Sequence, residues 1–437
     1  MRRRWASLGV VLISIIAVMF WLHLRSRHAR RRIPIVTLVS RTAIGEPANG
    51  ESESPAINAD GRWVAFSSRA SNLVPEDTNG VADVFVFDRQ TQTMMRASVS
   101  SEGVQGNGPS THPSMSADGR FVAFLSAASN LDAIDDTNQA PDIFLRDRRD
   151  GITLRVTVDR VGRQTDDESG RPAMSANGRL VVFASKARTL APGGVEGTWQ
   201  VYLRDPFVGI SDRISGGLNP AISASGDTVA FEAMHLNGIQ NDRGPFGMTN
   251  IYTYDHKTGA VNKISQYSYD GHWAGSSERA TLNADGRVIA FESGSALMAE
   301  DGNRERDIYI YDQEVGGLDI ASRNGMHGSA NGRSEYPSLS ADGRFIAFVS
   351  EASNLVAWDT NKVADIFVHD RRSGATSRVN LGPHGEPANA PSSEPMLSAD
   401  GRFLAFASQA SNLLPKFTHQ WTDIFVAELP VGWCESL

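Results

Sequence analysis

The chain repeats one pattern of apolar and polar positions. A short alternating stretch led by proline ends in Ala-Asp-Gly or a close variant. It is followed by a run that is apolar on both faces, as in "RWVAFSS" (62–68) and "RFIAFVS" (344–350). After a polar loop comes a β-branched and aromatic run, as in "DVFVFDR" (83–89), "DIFLRDR" (142–148), "DIYIYDQ" (307–313) and "DIFVHDR" (365–371). A second tight turn leads to a weaker edge strand such as "TMMRASVS" (93–100). Period-two alternation and turn residues of this kind predict four short antiparallel strands. A strand apolar on both faces is one held between two neighbouring sheets, and its central Ala lets those sheets approach closely.

The turn recurs seven times, as "PAINADG" (55–61), "PSMSADG" (113–119), "PAMSANG" (172–178), "PAISASG" (220–226), "ATLNADG" (280–286), "PSLSADG" (337–343) and "PMLSADG" (395–401). Its central residues are Asp60, Asp118, Asn177, Ser225, Asp285, Asp342 and Asp400, spaced 48 to 60 residues apart. Seven four-stranded units predict an all-β, seven-bladed β-propeller with four-stranded antiparallel blades. A parallel β-helix would show shorter coils and no paired hairpin turns. The last unit ends at "DIFVAELPVGWCESL", with little room for a fourth strand, whereas 35–42 reads as a strand without a sheet. Residues 35–42 are therefore expected to complete the seventh blade and remove its exposed edge.

The only departure from this patterning is at the start. Trp5–Leu24 is twenty residues without a charge, about 30 Å as a helix and long enough for a bilayer core. Three arginines precede it and five follow, with indoles at Trp5 and Trp21 near its ends. It reads as an uncleaved single-pass anchor, giving an anchor domain over 1–32 and a propeller over 33–437. The arginine count by itself favours a cytoplasmic C-terminal side.

Charge and composition narrow the function. Residues 1–32 hold eight arginines and no acid, which leaves 34 basic against 50 acidic residues in the body, about −16. Such a body is repelled by phosphate backbones, so nucleic-acid binding is not expected. The lone Cys434 excludes an intrachain disulfide framework and a multi-cysteine metal site. No G-x-S-x-G, H-E-x-x-H, Walker or C-x-x-C motif occurs.

The pattern "P-x-x-S-A-D-G-R-x-[VI]-A-F-x-S" followed by "D-[IV]-[FY]-[VI]-x-D-x-x-x-G" resembles the TolB-type, WD-repeat-like propeller repeat of bacterial envelope proteins. The resemblance covers essentially all of 33–437. It implies a propeller fold, an extracytoplasmic (periplasmic) address opposite to the arginine count, and an envelope protein or peptide as partner. In TolB a small α/β domain precedes six blades, so its partner contacts do not transfer to this chain. The expected role is a membrane-tethered, monomeric binding or scaffolding module at the inner membrane. The alternative is a hydrolase or lyase acting on a sugar or lactone in the central channel.

Candidate sites follow from loop length. The turns "ADG" and "DRQTQT" are short, whereas 67–82 and 100–112 are long, polar connections on the opposite face, where binding usually resides. These loops carry D-x-N-x-x-x-D at Asp77/Asn79/Asp83, Asp136/Asn138/Asp142, Asp301/Asn303/Asp307 and Asp359/Asn361/Asp365. The opening resembles that of a Ca²⁺ loop, so Ca²⁺ is the candidate cofactor. The next aspartates, Asp88, Asp147, Asp312 and Asp370, lie about 17 Å further along a strand and cannot join the same ion. The competing reading is Asx turns, with Asp83 and its counterparts satisfying backbone N–H groups. A second candidate is Glu53, Glu278, Glu335 and Glu394, just before the innermost strands and expected at the channel mouth, where a ring of carboxylates could hold a cation or a basic peptide tail. His112, His272, His327 and His384 are placed in connections between blades. Trp199, Phe246, Trp273, Trp358 and Trp421 are candidate docking aromatics.

Overall fold

The computed structural model describes residues 33–133, 136–234, 236, 248–265, 275–325 and 328–430. The apolar segment 5–24, Phe246, His272, Trp273 and His327 lie outside them. Among the described residues there are 28 strands and no helix, so none is long and apolar enough to cross a membrane. The strands form seven four-stranded antiparallel sheets. Blade 1 is typical, with Ser52–Ile57 innermost, then Trp63–Ser68, Asp83–Asp88 and Thr93–Arg96 at the rim.

The ring closes as the sequence predicts. Ile35–Leu38 pairs with Asp423–Glu428 in register Ile35↔Glu428 to Leu38↔Phe425 and supplies the fourth strand of blade 7. Ser40 extends the closure: its hydroxyl donates to Asp423 at 2.7 Å and accepts the Ile424 N–H at 2.9 Å. The two ends of the chain are thus tied by backbone and side chain alike.

Two-sided burial explains the apolar second strands. Val64 and Phe66 meet Ala405, Ala407, Ile424 and Val426 of blade 7. Ala65, Val84 and Val86 face the other way, against Val122, Phe124 and Phe144 of blade 2. The small Ala65 gives room for the rings of the next blade. Each blade carries one cross-strand aromatic pair, from Phe66–Phe85 at 6.0 Å to Phe406–Phe425 at 5.8 Å. Burying one such ring contributes about 1.5–3 kcal/mol.

The Ala-Asp-Gly turns do more than reverse the chain. Backbone hydrogen bonds pass from blade to blade in a closed circle. They run Ala59 to Ala117, Ala117 to Ala176, Ala176 to Ala224, Ser225 to Ala284, Ala284 to Ala341, Ala341 to Ala399, and Ala399 back to Ala59, at 2.8–3.3 Å. Glycine is required beside them on two counts. Gly61 has φ +73°, and a Cβ there would lie 2.2 Å from the Phe403 ring of blade 7. The Arg after the turn reaches across to the Asp ending the third strand, as Arg62 does to Asp88 at 2.7 Å. That pairing holds the Asp88 carboxyl down at about 2.

On the opposite face the repeated "ASN" clamps two connections together. The Asn49 N–H donates to Asn72 Oδ1 at 3.0 Å, the Asn49 amide to Ser71 Oγ at 3.0 Å, and the Ser71 N–H to Asn49 Oδ1 at 2.8 Å. Asn107, Asn331 and Asn389 repeat the same bonds with Ser129/Asn130, Ser353/Asn354 and Ser411/Asn412. The repeated Ala-Ser-Asn thus fixes the geometry between loops, as the Ala-Asp-Gly turns do between blades.

Candidate functional site: the channel mouth

The innermost strands are not regular. Their pairing with the second strand slips between Glu53/Ala56, Thr111/Ser114, Leu218/Ala221, Glu278/Thr281, Glu335/Ser338 and Ser393/Met396. The residue at each bulge has positive φ: Ser54 54°, His112 51°, Asn219 44°, Arg279 50°, Tyr336 57° and Glu394 53°. All but Arg279 precede a proline, and Arg171-Pro172 holds the same place in blade 3. Left-handed backbone at non-glycine residues costs about 1–2 kcal/mol each, and bulges of this kind re-aim side chains. Here they turn six residues toward one axis, where Arg171 of blade 3 joins them. Ser54, His112, Arg171, Asn219, Arg279, Tyr336 and Glu394 ring a cavity of about 280 Å³, with Pro55, Pro113, Pro172, Pro220, Ala280, Pro337 and Pro395 as its next tier.

Half of this ring is internally satisfied. Glu394 Oε2 accepts the Ser54 N–H at 2.6 Å. Glu232 accepts the Arg279 N–H at 2.7 Å and the Asn219 amide at 3.0 Å. Glu292 accepts the Tyr336 N–H at 2.8 Å, and its other oxygen takes Arg279 at 2.8 Å and Arg306 at 2.5 Å. Arg279 also lies over the Tyr336 ring, 4.3 Å from its centroid. Burial pushes the Glu232 and Glu394 carboxyls up.

The other half, in blades 2 to 4, is open. At the place of Glu232 and Glu292, across from the residue before the bulge, stand Ser67, Leu125 and Ala184. None reaches the next blade's bulge as a carboxylate does. Among the described residues no side chain accepts the backbone N–H of His112, Arg171 or Asn219 as carboxylates do at Ser54, Arg279 and Tyr336, and the exposed Arg171 makes no ion pair. Burial, aided by the charge of Arg171, holds His112 down at about 4, so it is neutral at pH 7. Its Nδ1 is 2.9 Å from the Thr111 hydroxyl.

The glutamates read from the sequence divide at this bulge. Glu394 lines the channel, whereas Glu53, Glu278 and Glu335 stand one position earlier, so the four do not share one ring. Arg306 draws Glu278 (2.8 Å) and Glu335 (4.0 Å) toward Glu292. Glu53 is exposed and adds its charge to the field that raises Glu394. His112 lies within the innermost strand Ser110–Met115, a correction to its placement in a connection. Arg171, Asn219, Arg279, Tyr336, Glu232 and Glu292 were not singled out. The sixfold X-Pro alignment is the signal that finds Arg171, Asn219 and Tyr336, and the same place in the remaining blade, Arg279-Ala280, follows from the repeat.

The D-x-N-x-x-x-D loops hold organic cations and amides. Arg96 lies 3.1 Å from Asp77 and 3.5 Å from Asp83, and Asn79 donates to Asp83 at 2.8 Å. Arg378 lies 3.3 Å from Asp359 and 2.8 Å from Asp365, with Asn361 donating to Asp365 at 2.9 Å. In blade 2, Arg155 lies 3.2 Å from Asp142, and Gln164 donates to Asp136, Asn138 and Asp142. Blade 5 differs: Ile320 stands where Arg96 and Arg378 stand, Tyr309 donates to Asp301, and Asn303 donates to Asp307 at 2.7 Å. Burial, with Asp301 nearby, pushes Asp307 up to about 7. Among the described residues no three of His, Cys, Asp or Glu are grouped to hold a metal ion.

No family model matches the chain, and no curated protein matches it. Solved structures match across the whole propeller. An oligogalacturonate lyase from Vibrio parahaemolyticus is 12% identical over 92% of this chain and 98% of its own, with TM-score 0.55. An oligogalacturonate lyase in complex with manganese is 14% identical over 91% and 92%, with TM-score 0.53. TolB from Acinetobacter baumannii is 17% identical over 80% and 67%, with TM-score 0.43. At these identities the likeness concerns the fold: the protein is a seven-bladed propeller.

Proposed function

We propose that this protein binds a small carboxylate-bearing polar molecule at its channel mouth, with an acidic sugar as the class that fits best. One observation carries the reading. Three bulge N–H groups in the ring already hold carboxylates, those of Glu394, Glu232 and Glu292. Among the described residues no side chain occupies the equivalent groups of His112, Arg171 and Asn219, and the Arg171 guanidinium at the same ring has no ion pair. A ligand carboxylate placed there repeats a contact that the protein makes with its own side chains, strengthened by the charge of Arg171. The tier of prolines and the Tyr336 ring offer flat apolar faces to a sugar ring, while Asn219, Ser54 and Glu394 offer polar groups to its hydroxyls. Oligogalacturonate lyases among the structures of similar fold support the choice of class.

A second reading, catalysis on the same ligand, draws on His112. It is an imidazole kept unprotonated at pH 7, beside the raised carboxyl of Glu394. Docking of an envelope protein would use the long-loop face, where Trp358 is 77% and Trp421 40% exposed. Within this proposal the arginine-flanked segment 5–24 tethers the propeller to the inner membrane, and the site faces the periplasm. Calorimetric titration with galacturonate and with galactose tests the core of the reading. Galacturonate should bind and galactose should not, and Arg171→Ala should weaken galacturonate about tenfold or more. Equal behaviour of the two sugars would sink it, and turnover of galacturonate oligomers lost in His112→Ala would establish catalysis.

A further inference from the structure

We infer that the channel site continues into a radial cleft between blades 6 and 7, so that the ligand is a linear acidic oligosaccharide rather than a single sugar; this rests on the reading of the channel mouth as a carboxylate site. A cavity of about 680 Å³ lies there and shares Tyr336 with the channel. The junction is built from consecutive residues on both walls. Glu335 lines the cleft and Tyr336 lines both spaces; Ser393 lines the cleft and Glu394 the channel.

The cleft exists because two fillers are missing. Between blades 5 and 6 the corresponding space is occupied by Glu292 and Arg306, bonded to each other at 2.5 Å. In blade 6 the same two strand positions carry Val349 and Ala364, both lining the cleft. Glu394 does not fill the gap, since its carboxylate turns to Ser54. The cleft lining sets two cations, Arg333 and Lys362, against two carboxylates, Glu335 and Glu351, and leaves one cation for a second acidic unit. Lys362 is exposed, is held at φ 59°, and makes no ion pair among the described residues. The neighbouring Arg333 is already engaged by Glu351 at 2.7 Å. An oligomer with one end at Arg171 therefore meets an uncommitted cation again as it leaves the channel past Tyr336.

Titration of the full chain with mono-, di- and trigalacturonate tests this. Affinity should rise about tenfold or more from monomer to trimer, as expected when a second contact is tethered to the first. Lys362→Ala, and separately Ser393→Phe to obstruct the cleft, should each erase most of that gain and leave monomer affinity unchanged. A monomer that binds as tightly as the trimer, or a gain that survives both variants, overturns the cleft and leaves the channel reading intact. A trimer gain sensitive to both cleft variants but indifferent to Arg171→Ala keeps the cleft and removes the channel reading. Tighter binding of tri-glutamate than of trigalacturonate overturns the saccharide assignment.

Discussion

The innermost strands have two ends, and the ends behave differently. At the Ala-Asp-Gly end every blade does the same thing: one backbone hydrogen bond to its neighbour, one left-handed glycine, one close contact with the preceding blade. At the bulge end six blades share one left-handed backbone, yet the side chains around the ring are serine, histidine, arginine, asparagine, arginine, tyrosine and glutamate. A shared backbone with unlike side chains is what recognition of an asymmetric molecule requires, because a ring of identical groups would recognise only a symmetric one. Repetition here maintains the frame, and its interruption marks the site.

Perturbing the repeated frame should have the largest effect. Phe348→Ala, which removes a buried ring stacked on Phe367, is expected to cost about 3–5 kcal/mol in chemical denaturation. Arg378→Ala should cost a similar amount, because Asp359 and Asp365 would be left buried without their cation. A loss below about 1 kcal/mol in either would show that the blades do not depend on their repeated contacts.

Blade 5 sharpens the comparison within the frame, because its buried Asp307 faces Asp301, Asn303, Ser322 and Tyr309 with no arginine. Its folded pKa, about 7, lies above the unfolded value of about 3.9. The associated stability is therefore complete below about pH 4 and is lost as pH rises through 7. Asp307→Asn imitates Asn250 of blade 4, and it should melt above the wild type at pH 8 by more than at pH 5. A gap independent of pH would refute the assignment. Asp88 has the opposite sign: held at about 2 by Arg62, its contribution is present above about pH 4 and lost as pH falls through 2.

The unlike ring should respond in the reverse way. Arg171→Ala is expected to change folding stability by less than about 0.5 kcal/mol, since the exposed side chain has no ion pair to lose. Its effect should appear only in ligand affinity, and a marked drop in melting temperature would return Arg171 to the frame. The smallest effect is expected from calcium. With Arg96 and Arg378 between the loop aspartates, melts in chelator and in millimolar Ca²⁺ should coincide; a rise with Ca²⁺ would show that the loops admit an ion after all.

How much of this was legible follows from where each residue sits. The turns and the two-sided strands were readable because each rests on local chemistry repeated seven times, and the borrowed strand within 35–42 because the last unit lacks a fourth strand of its own. The register of the channel was not. A single inserted residue at each bulge moves the pattern by one, so Glu53, Glu278 and Glu335 step out of the ring that Glu394 occupies. Period-two reasoning has no means of registering that slip, although the X-Pro dipeptides flag it.

The sequence by itself determined the number of blades, their strand order and the closure of the ring, because copied apolar positions and turn residues admit one architecture. Only the tertiary structure decided which residues meet. His112, Arg171 and Asn219 lie roughly fifty to sixty residues apart and become neighbours through ring closure, with left-handed backbone at His112 and Asn219. The cleft beside Tyr336 likewise arises from two small residues on one blade facing a carboxylate that has turned toward another, a relation in space that no linear spacing contains.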